Sequence, residues 1–221
     1  MNRLEIGNLL DTQYTIASDI FEGKKYAHEV LPEIKEFIVS LSLTLDAEKF
    51  YDVGGGVFIA KSAKVAKSAS ITGPCIIDEG AEIRHCAFIR GSVIVGKGAV
   101  VGNSTEVKNA ILFDKVQIPH YNYVGDSVLG YKSHMGAGAI TSNVKSDKTN
   151  VSITLDKEKY NTNLKKFGAI LGDCVEIGCG TVLNPGTVVG KNTNVYPLSM
   201  VRGYIDENSI YKNRGNVVRK N

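Results

Sequence analysis

Aliphatic residues return at every sixth position from Ile59 onward, at Val65, Ile71, Ile77, Ile83, Ile89, Val95, Val101 and Val107. One residue is then dropped and the series resumes at Leu112, Ile118 and Val124; a second drop restarts it at Leu129 and Met135. After a long interruption it continues at Leu171, Ile177, Leu183, Val189 and Val195. Four positions beyond most of these stands a small residue, among them Ala63, Ala69, Cys75, Ala81, Ala87, Ala99, Thr105, Ala139, Thr181, Thr187, Thr193 and Ser199; Ile111 and Asn122 break the rule. A period of six matches neither an α-helix nor plain strand alternation, but it does match short strands joined by turns in an all-β solenoid. Each hexad makes one flat side, with the aliphatic residue inward and the small residue at a corner.

Residues 1–53 carry a different pattern. Pro32 opens a stretch to Leu41 with its apolar groups on one helical face, and Asp11 to Phe21 reads as a shorter helix. Gly54-Gly55-Gly56 marks the turn into the array. The expected organisation is a short α-helical leader at 1–53 that caps the first coil and protects its edges, a solenoid at 54–205, and a C-terminal tail at 206–221. A lysine-rich, polar loop is expected as an insertion at 142–165.

With 221 residues, 43% of them hydrophobic, the chain can bury a substantial core. Its 26 basic and 23 acidic side chains leave a formal +3, too little for a concentrated basic surface, so no nucleic-acid partner is expected. The N-terminus lacks a signal-peptide pattern and no stretch reaches the roughly 18 apolar residues of a membrane span, so the expectation is a soluble cytoplasmic protein with no membrane partner. Cys75, Cys86, Cys174 and Cys179 form no CxxC pair, which argues against a disulfide scaffold or a zinc site.

The period brings candidate chemistry together. Arg90 and Lys108 are 18 apart, each directly after an inward aliphatic residue, so one lies above the other. Two like charges about 5 Å apart repel by roughly 3 kcal/mol at an intermediate dielectric, which an anion would relieve. Asn103, His120 and Ala137 form a second column at a spacing of 17, and Glu106, Tyr123 and Ile140 a third. An imidazole, a phenol, a carboxylate and two cations thus converge beside the Gly136-Ala137-Gly138 backbone, an arrangement suited to acid–base chemistry on an anionic substrate. His85, His120 and His134 are the candidate zinc set; His134 falls on a different side column from His120, and no metal is expected.

The hexads resemble those of the hexapeptide-repeat transferases, which implies a left-handed parallel β-helix of three sides. A narrower resemblance is carried by Arg90-Gly91, by Val101-Gly102-Asn103-Ser104-Thr105-Glu106-Val107-Lys108, by His120-Tyr121-Asn122-Tyr123-Val124-Gly125-Asp126 and by Gly136-Ala137-Gly138-Ala139-Ile140-Thr141-Ser142-Asn143. These segments are similar to the acetyltransferase domain of the bifunctional glucosamine-1-phosphate acetyltransferase/N-acetylglucosamine-1-phosphate uridyltransferase family. The resemblance covers roughly residues 84 to 214 and does not include the uridyltransferase domain, so no uridylyl transfer is expected.

Position by position, the resemblance implies sugar-phosphate ligands at Arg90, Lys108, Tyr123 and Lys166, a sugar-side contact at Asn143, and a general base at His120. It also implies an oxyanion donor at the Ala137 amide. Glu106 joins the substrate group by its place in the columns. Arg214 corresponds to a cation that meets the coenzyme A phosphate. His134 and Val144 stand where the family has an asparagine and a tyrosine on the sugar, and Cys179 and Pro197 where it has a serine and an alanine near the coenzyme. The implied activity is N-acetylation of an amino-sugar 1-phosphate, glucosamine 1-phosphate foremost, by acetyl-CoA within a homotrimer whose sites lie between subunits. The alternatives are a non-catalytic scaffold that binds sugar phosphates or sugar nucleotides, and a metal-dependent carbonic-anhydrase-like protein.

Overall fold

The computed structural model describes residues 3–212 and 216–220. The chain winds into a parallel β-helix of three walls. Each inward aliphatic residue stacks on its counterpart one coil on: Ile59 on Ile77, Ile77 on Val95, and Leu171 on Val189 are pairs 18 apart. Both dropped residues are absorbed as the repeat predicts, because Val95 pairs with Leu112 and Leu112 with Leu129 at a spacing of 17. From Ile77 to Val195 the inward side chains are buried along the stack, while Ile59 and Ile71 on the first coil are half-buried and Val65 is exposed; the small residues Ala87, Thr105, Ala139 and Thr181 are buried where the chain turns. Gly102 shows why a coil can tolerate no side chain at some corners: a Cβ there would fall 1.7 Å from the carbonyl oxygen of Pro119 on the next coil.

The first wall runs from Lys64–Val65 through Val100–Asn103 and Gln117–His120 to Ser209–Tyr211, and the antiparallel strand Val217–Arg219 closes its last edge. Parallel pairing therefore continues past residue 205 into the segment expected as a tail. The strands Glu106–Leu112 and Tyr123–Leu129 are long enough to turn the corner from the second wall to the third. Glu106–Leu112 accordingly pairs with Phe88–Arg90 on one wall and with Val93–Val95 on the other.

The third wall is covered on both faces. Ile76, Ile94, Ile111, Val128, Ile170 and Val188 point away from the solenoid interior, yet each is at most 1% exposed. The leader covers them, climbing the stack against the direction of winding. Leu9 O accepts a hydrogen bond from Asp173 N, Tyr14 stacks on Tyr131 at 3.9 Å, Phe21 meets Phe113 edge-on, and Leu31 O accepts from Asn109 Nδ2 at 3.2 Å. The helix Ile34–Ser42 then lays its buried Ile34 and Ile38 against the strands Cys75–Ile77, Val93–Val95 and Glu106–Leu112. A cap over the first coil is therefore corrected to a cover along a wall. Phe50–Asp52, antiparallel to Val57–Ala60, shields one edge of the first coil. Asp11 to Phe21 forms two 3₁₀ turns, Thr12–Tyr14 and Ser18–Phe21, in place of one helix.

The insertion is a hairpin of Ser152–Leu155 and Glu158–Asn161. Val151, Ile153 and Leu155 are buried, so it packs back on the solenoid. Gly203, at φ +69°, leaves room for it: a Cβ there would meet the Thr154 carbonyl oxygen at 2.6 Å. Among the described residues no helix is long and apolar enough to cross a membrane.

Candidate active site

His120 ends the strand Gln117–His120 at the corner between the first and second walls, with Asn103 as its register partner. The ladder of this corner continues downward: His120 O accepts from Gly138 N at 3.0 Å, Ala137 O from Gly180 N at 2.8 Å, and Cys179 O from Leu198 N at 2.9 Å. His120, Ala137, Cys179 and Pro197 thus lie one below another along the edge, all four exposed. Ala137 N–H has no backbone partner among the described residues, and the residue is exposed.

The second wall begins at this edge and carries the charged groups. Glu106 is in register with Phe88 and Tyr123, and Tyr123 with Ile140, so Lys108 follows Arg90 by one coil. Each cation has a carboxylate of its own. Arg90 Nη1 donates to Glu106 Oε1 at 2.6 Å, and Lys108 Nζ lies 3.2 Å from Asp126 Oδ2. The expected mutual repulsion of Arg90 and Lys108 is therefore relieved inside the chain. The two pairs differ in burial: the Arg90 side chain is 44% exposed and its partner Glu106 33%, whereas Asp126 is 7% exposed. An exposed ion pair opens cheaply for an incoming anion, and a buried one does not.

Asp126 is the centre that the sequence reading left out. Besides Lys108 it accepts from Asn109 Nδ2 at 3.0 Å and from Asn143 Nδ2, and Asn143 Nδ2 also donates to the Tyr123 hydroxyl at 3.2 Å. Burial first, and the Asp126 charge second, push the Tyr123 phenol pKa up, so it stays a neutral donor. The signal was present as spacing, since Asn109, Asp126 and Asn143 follow one another at intervals of 17. The return of the insertion is tied to the same centre, with Phe167 N donating to Asn143 O and Gly168 N to Asp126 O. Lys166 is exposed immediately before that anchor and has no ion-pair partner among the described residues.

Arg90, Glu106, Lys108, Tyr123, Asn143 and Lys166 are thus gathered on or beside one wall, with His120 and Ala137 on its edge. His134 is not among them: it faces out of the first wall between Gln117 and Glu176, and its Nδ1 lies 2.8 Å from Glu176 Oε2. Val144 is half-buried directly after Asn143. Arg214 lies outside the described residues. His85, the third histidine of the candidate zinc set, has its Nδ1 2.6 Å from Ser68 Oγ.

The wall is open. A cavity of about 610 Å³ does exist, but between the leader and the hairpin, lined by residues such as Tyr26, His28, Tyr160 and Asn163. Neither His120 nor Lys108 borders it.

Stacked hexads with a polar, donor-rich corner define a hexapeptide-type parallel β-helix protein. Residues 71–206 match the model of the GMPPB C-terminal domain, and the chain belongs to that family. It is 34% identical over 116 residues to the bifunctional protein GlmU of Methanococcus maripaludis, an alignment covering 52% of this chain and 28% of that protein. A bifunctional sugar-1-phosphate nucleotidylyltransferase/acetyltransferase of Sulfurisphaera tokodaii is 29% identical over 107 residues, covering 48% and 27%. The chain thus matches just over a quarter of the length of these relatives. Among solved structures, the acetyltransferase domain of PglB from Neisseria gonorrhoeae in complex with acetyl coenzyme A is similar over 84% of this chain and 63% of that one, with 18% identity and a TM-score of 0.41.

Proposed function

We propose that the chain is an acetyl-CoA-dependent N-acetyltransferase acting on an amino-sugar 1-phosphate, glucosamine 1-phosphate foremost. The observation that carries this reading is the edge at which the exposed His120 imidazole stands one coil above the Ala137 amide, which has no backbone partner among the described residues, beside the wall of Arg90, Lys108 and Tyr123. The similarity to the Sulfurisphaera tokodaii sugar-1-phosphate nucleotidylyltransferase/acetyltransferase supports the substrate class. The phosphate would displace Glu106 from Arg90 and gain Lys108, Tyr123 and Lys166 as donors, with Asn143 on the sugar side. Cys179 and Pro197, lower on the edge, would flank the coenzyme, and Arg214 its phosphate.

The amine nitrogen attacks the thioester carbonyl carbon while neutral His120 takes the proton the nitrogen sheds, an effect typically of about 10²- to 10⁴-fold. The carbonyl π electrons move to oxygen, where the Ala137 amide donates a hydrogen bond. As the carbonyl re-forms, the C–S bond breaks and the thiolate of coenzyme A takes the proton from His120. Because the wall is open in one chain, a second copy in a homotrimer would close the crevice and exclude water.

Thiol release from acetyl-CoA tests this reading with glucosamine 1-phosphate and with unphosphorylated glucosamine. The expected result is turnover that strongly favours the phosphorylated sugar, and an Arg90→Ala variant whose KM for it rises about tenfold or more with little change in kcat. Equal use of the two sugars would remove the phosphate assignment. The internal neutralisation of Arg90 and Lys108 favours a second reading, a scaffold that binds a sugar phosphate without turnover. It would show as binding in calorimetry with no thiol released.

A further inference from the structure

The corner beneath His120 holds a residue that packing does not require. Equivalent positions on other coils carry Ala87, Thr105, Ala139, Thr181 and Ser199, all buried, and Asn122 takes that place on the His120 coil at 3% exposure. A buried amide in a slot that alanine fills elsewhere costs free energy unless its groups are all bonded. They are. Asn122 Oδ1 accepts from His120 N at 3.1 Å, and Nδ2 donates to Gly136 O at 2.8 Å and to Ala139 O at 3.0 Å. Thr105 and Thr181, by contrast, each reach a single carbonyl of the next coil, that of Ile118 and of Tyr196.

These three bonds have a common meaning. Gly136 and Ala139 are the two ends of the turn that carries the Ala137 amide, and the same side chain grips the peptide of His120 one coil above. From the other side, Gly138 N donates to His120 O at 3.0 Å. The His120 peptide is thus held at both its N–H and its C=O, and the turn below is held at both ends, by a strut inside the corner.

We infer that Asn122 is a positioning residue of the site proposed above: it fixes the height and orientation of His120 relative to the Ala137 amide, and so the geometry between base and oxyanion donor. The inference rests on the proposed acetyl transfer. A loss of fit of about 1 Å between reacting groups can cost about 100-fold in rate, so a strut of this kind acts on kcat. None of these three side-chain bonds goes to Arg90, Lys108, Tyr123 or Lys166, so the expected effect on KM for the sugar phosphate is small.

The test uses Asn122→Thr and Asn122→Ser, residue types already accommodated at Thr105, Thr181 and Ser199. Kinetics are taken where circular dichroism shows both variants fully folded, together with hydrogen–deuterium exchange of the 136–139 turn. The expected result is a kcat about 10- to 100-fold lower with KM for the sugar phosphate within about threefold of wild type. Exchange at 136–139 should quicken while the corresponding turn at 178–181 is unchanged. A merely structural role would lower the unfolding midpoint but leave kcat per folded molecule and exchange at 136–139 unchanged, and that result overturns the inference. Should the wild type release no thiol at all, the proposed activity fails on its own, and exchange then decides: unchanged protection at 136–139 removes the strut.

Discussion

Asp126 shows how one side chain organises a wall. Its carboxylate receives Lys108, Asn109 and Asn143, and through Asn109 it ties the solenoid to the leader, while its backbone carbonyl accepts from Gly168 N at the return of the insertion. Replacing it by asparagine removes the charge opposite Lys108 and sets an amide against two other amide donors. Asp126→Asn should lower stability by about 1–3 kcal/mol in urea unfolding; an unchanged midpoint would mean that the three donors find water instead. The columns of Arg90 over Lys108 and of Asn103, His120 and Ala137 were legible by counting, because stacking depends only on chain length per coil. The pairing of Arg90 with Glu106 and of Lys108 with Asp126 was not, since it depends on which way flexible side chains turn between coils.

At the level of elements, the leader was legible as helical around Pro32 to Leu41, and the helix Ile34–Ser42 follows from its apolar spacing. Its place was harder to read. The signal lay in runs such as Cys75-Ile76-Ile77 and Val93-Ile94-Val95, whose unbroken apolarity marks strands buried on both faces; a hexad count attends only to the inward residue. The leader also meets the insertion through His28, which stacks between Tyr26 and Phe167 at centroid distances of 5.7 Å on each side. Burial pushes the His28 pKa below 6.5, with Glu29 opposing in part. Between the folded value and 6.5 the unfolded chain binds more protons, so this contribution is complete above pH 6.5 and is lost as pH falls through the folded value. The urea midpoint should therefore decline between pH 7.5 and pH 5, and less so in His28→Phe, which keeps the stack without the titration. Parallel pH profiles for the two proteins would contradict this assignment.

Across the whole molecule, three systems of contact share one register: the inward aliphatic stack, the leader on the third wall and the edge of His120 and Ala137 between the first and second. A disturbance of coil spacing should reach all three. Gly102→Ala, with its Cβ 1.7 Å from the Pro119 carbonyl oxygen, should push the Asn103 and His120 coils apart and destabilise the fold by about 1–3 kcal/mol. A variant with wild-type unfolding would show that the coils are softer than their packing indicates. The β-helix itself was legible because sixfold punctuation leaves the chain few other ways to bury its aliphatic residues. The open wall was not legible, because hexad spacing says which side chains stack and not how much of a wall stays uncovered.

The central claim is that the edge holding His120 above the Ala137 amide transfers an acetyl group. Its most direct measurement is steady-state thiol release from acetyl-CoA with glucosamine 1-phosphate by the wild type and by His120→Ala, with folding of the variant checked by circular dichroism. His120 is exposed and its side chain supports no core packing, so the variant should fold normally and lose about 10²-fold or more in kcat. Equal rates in the two proteins would contradict the account.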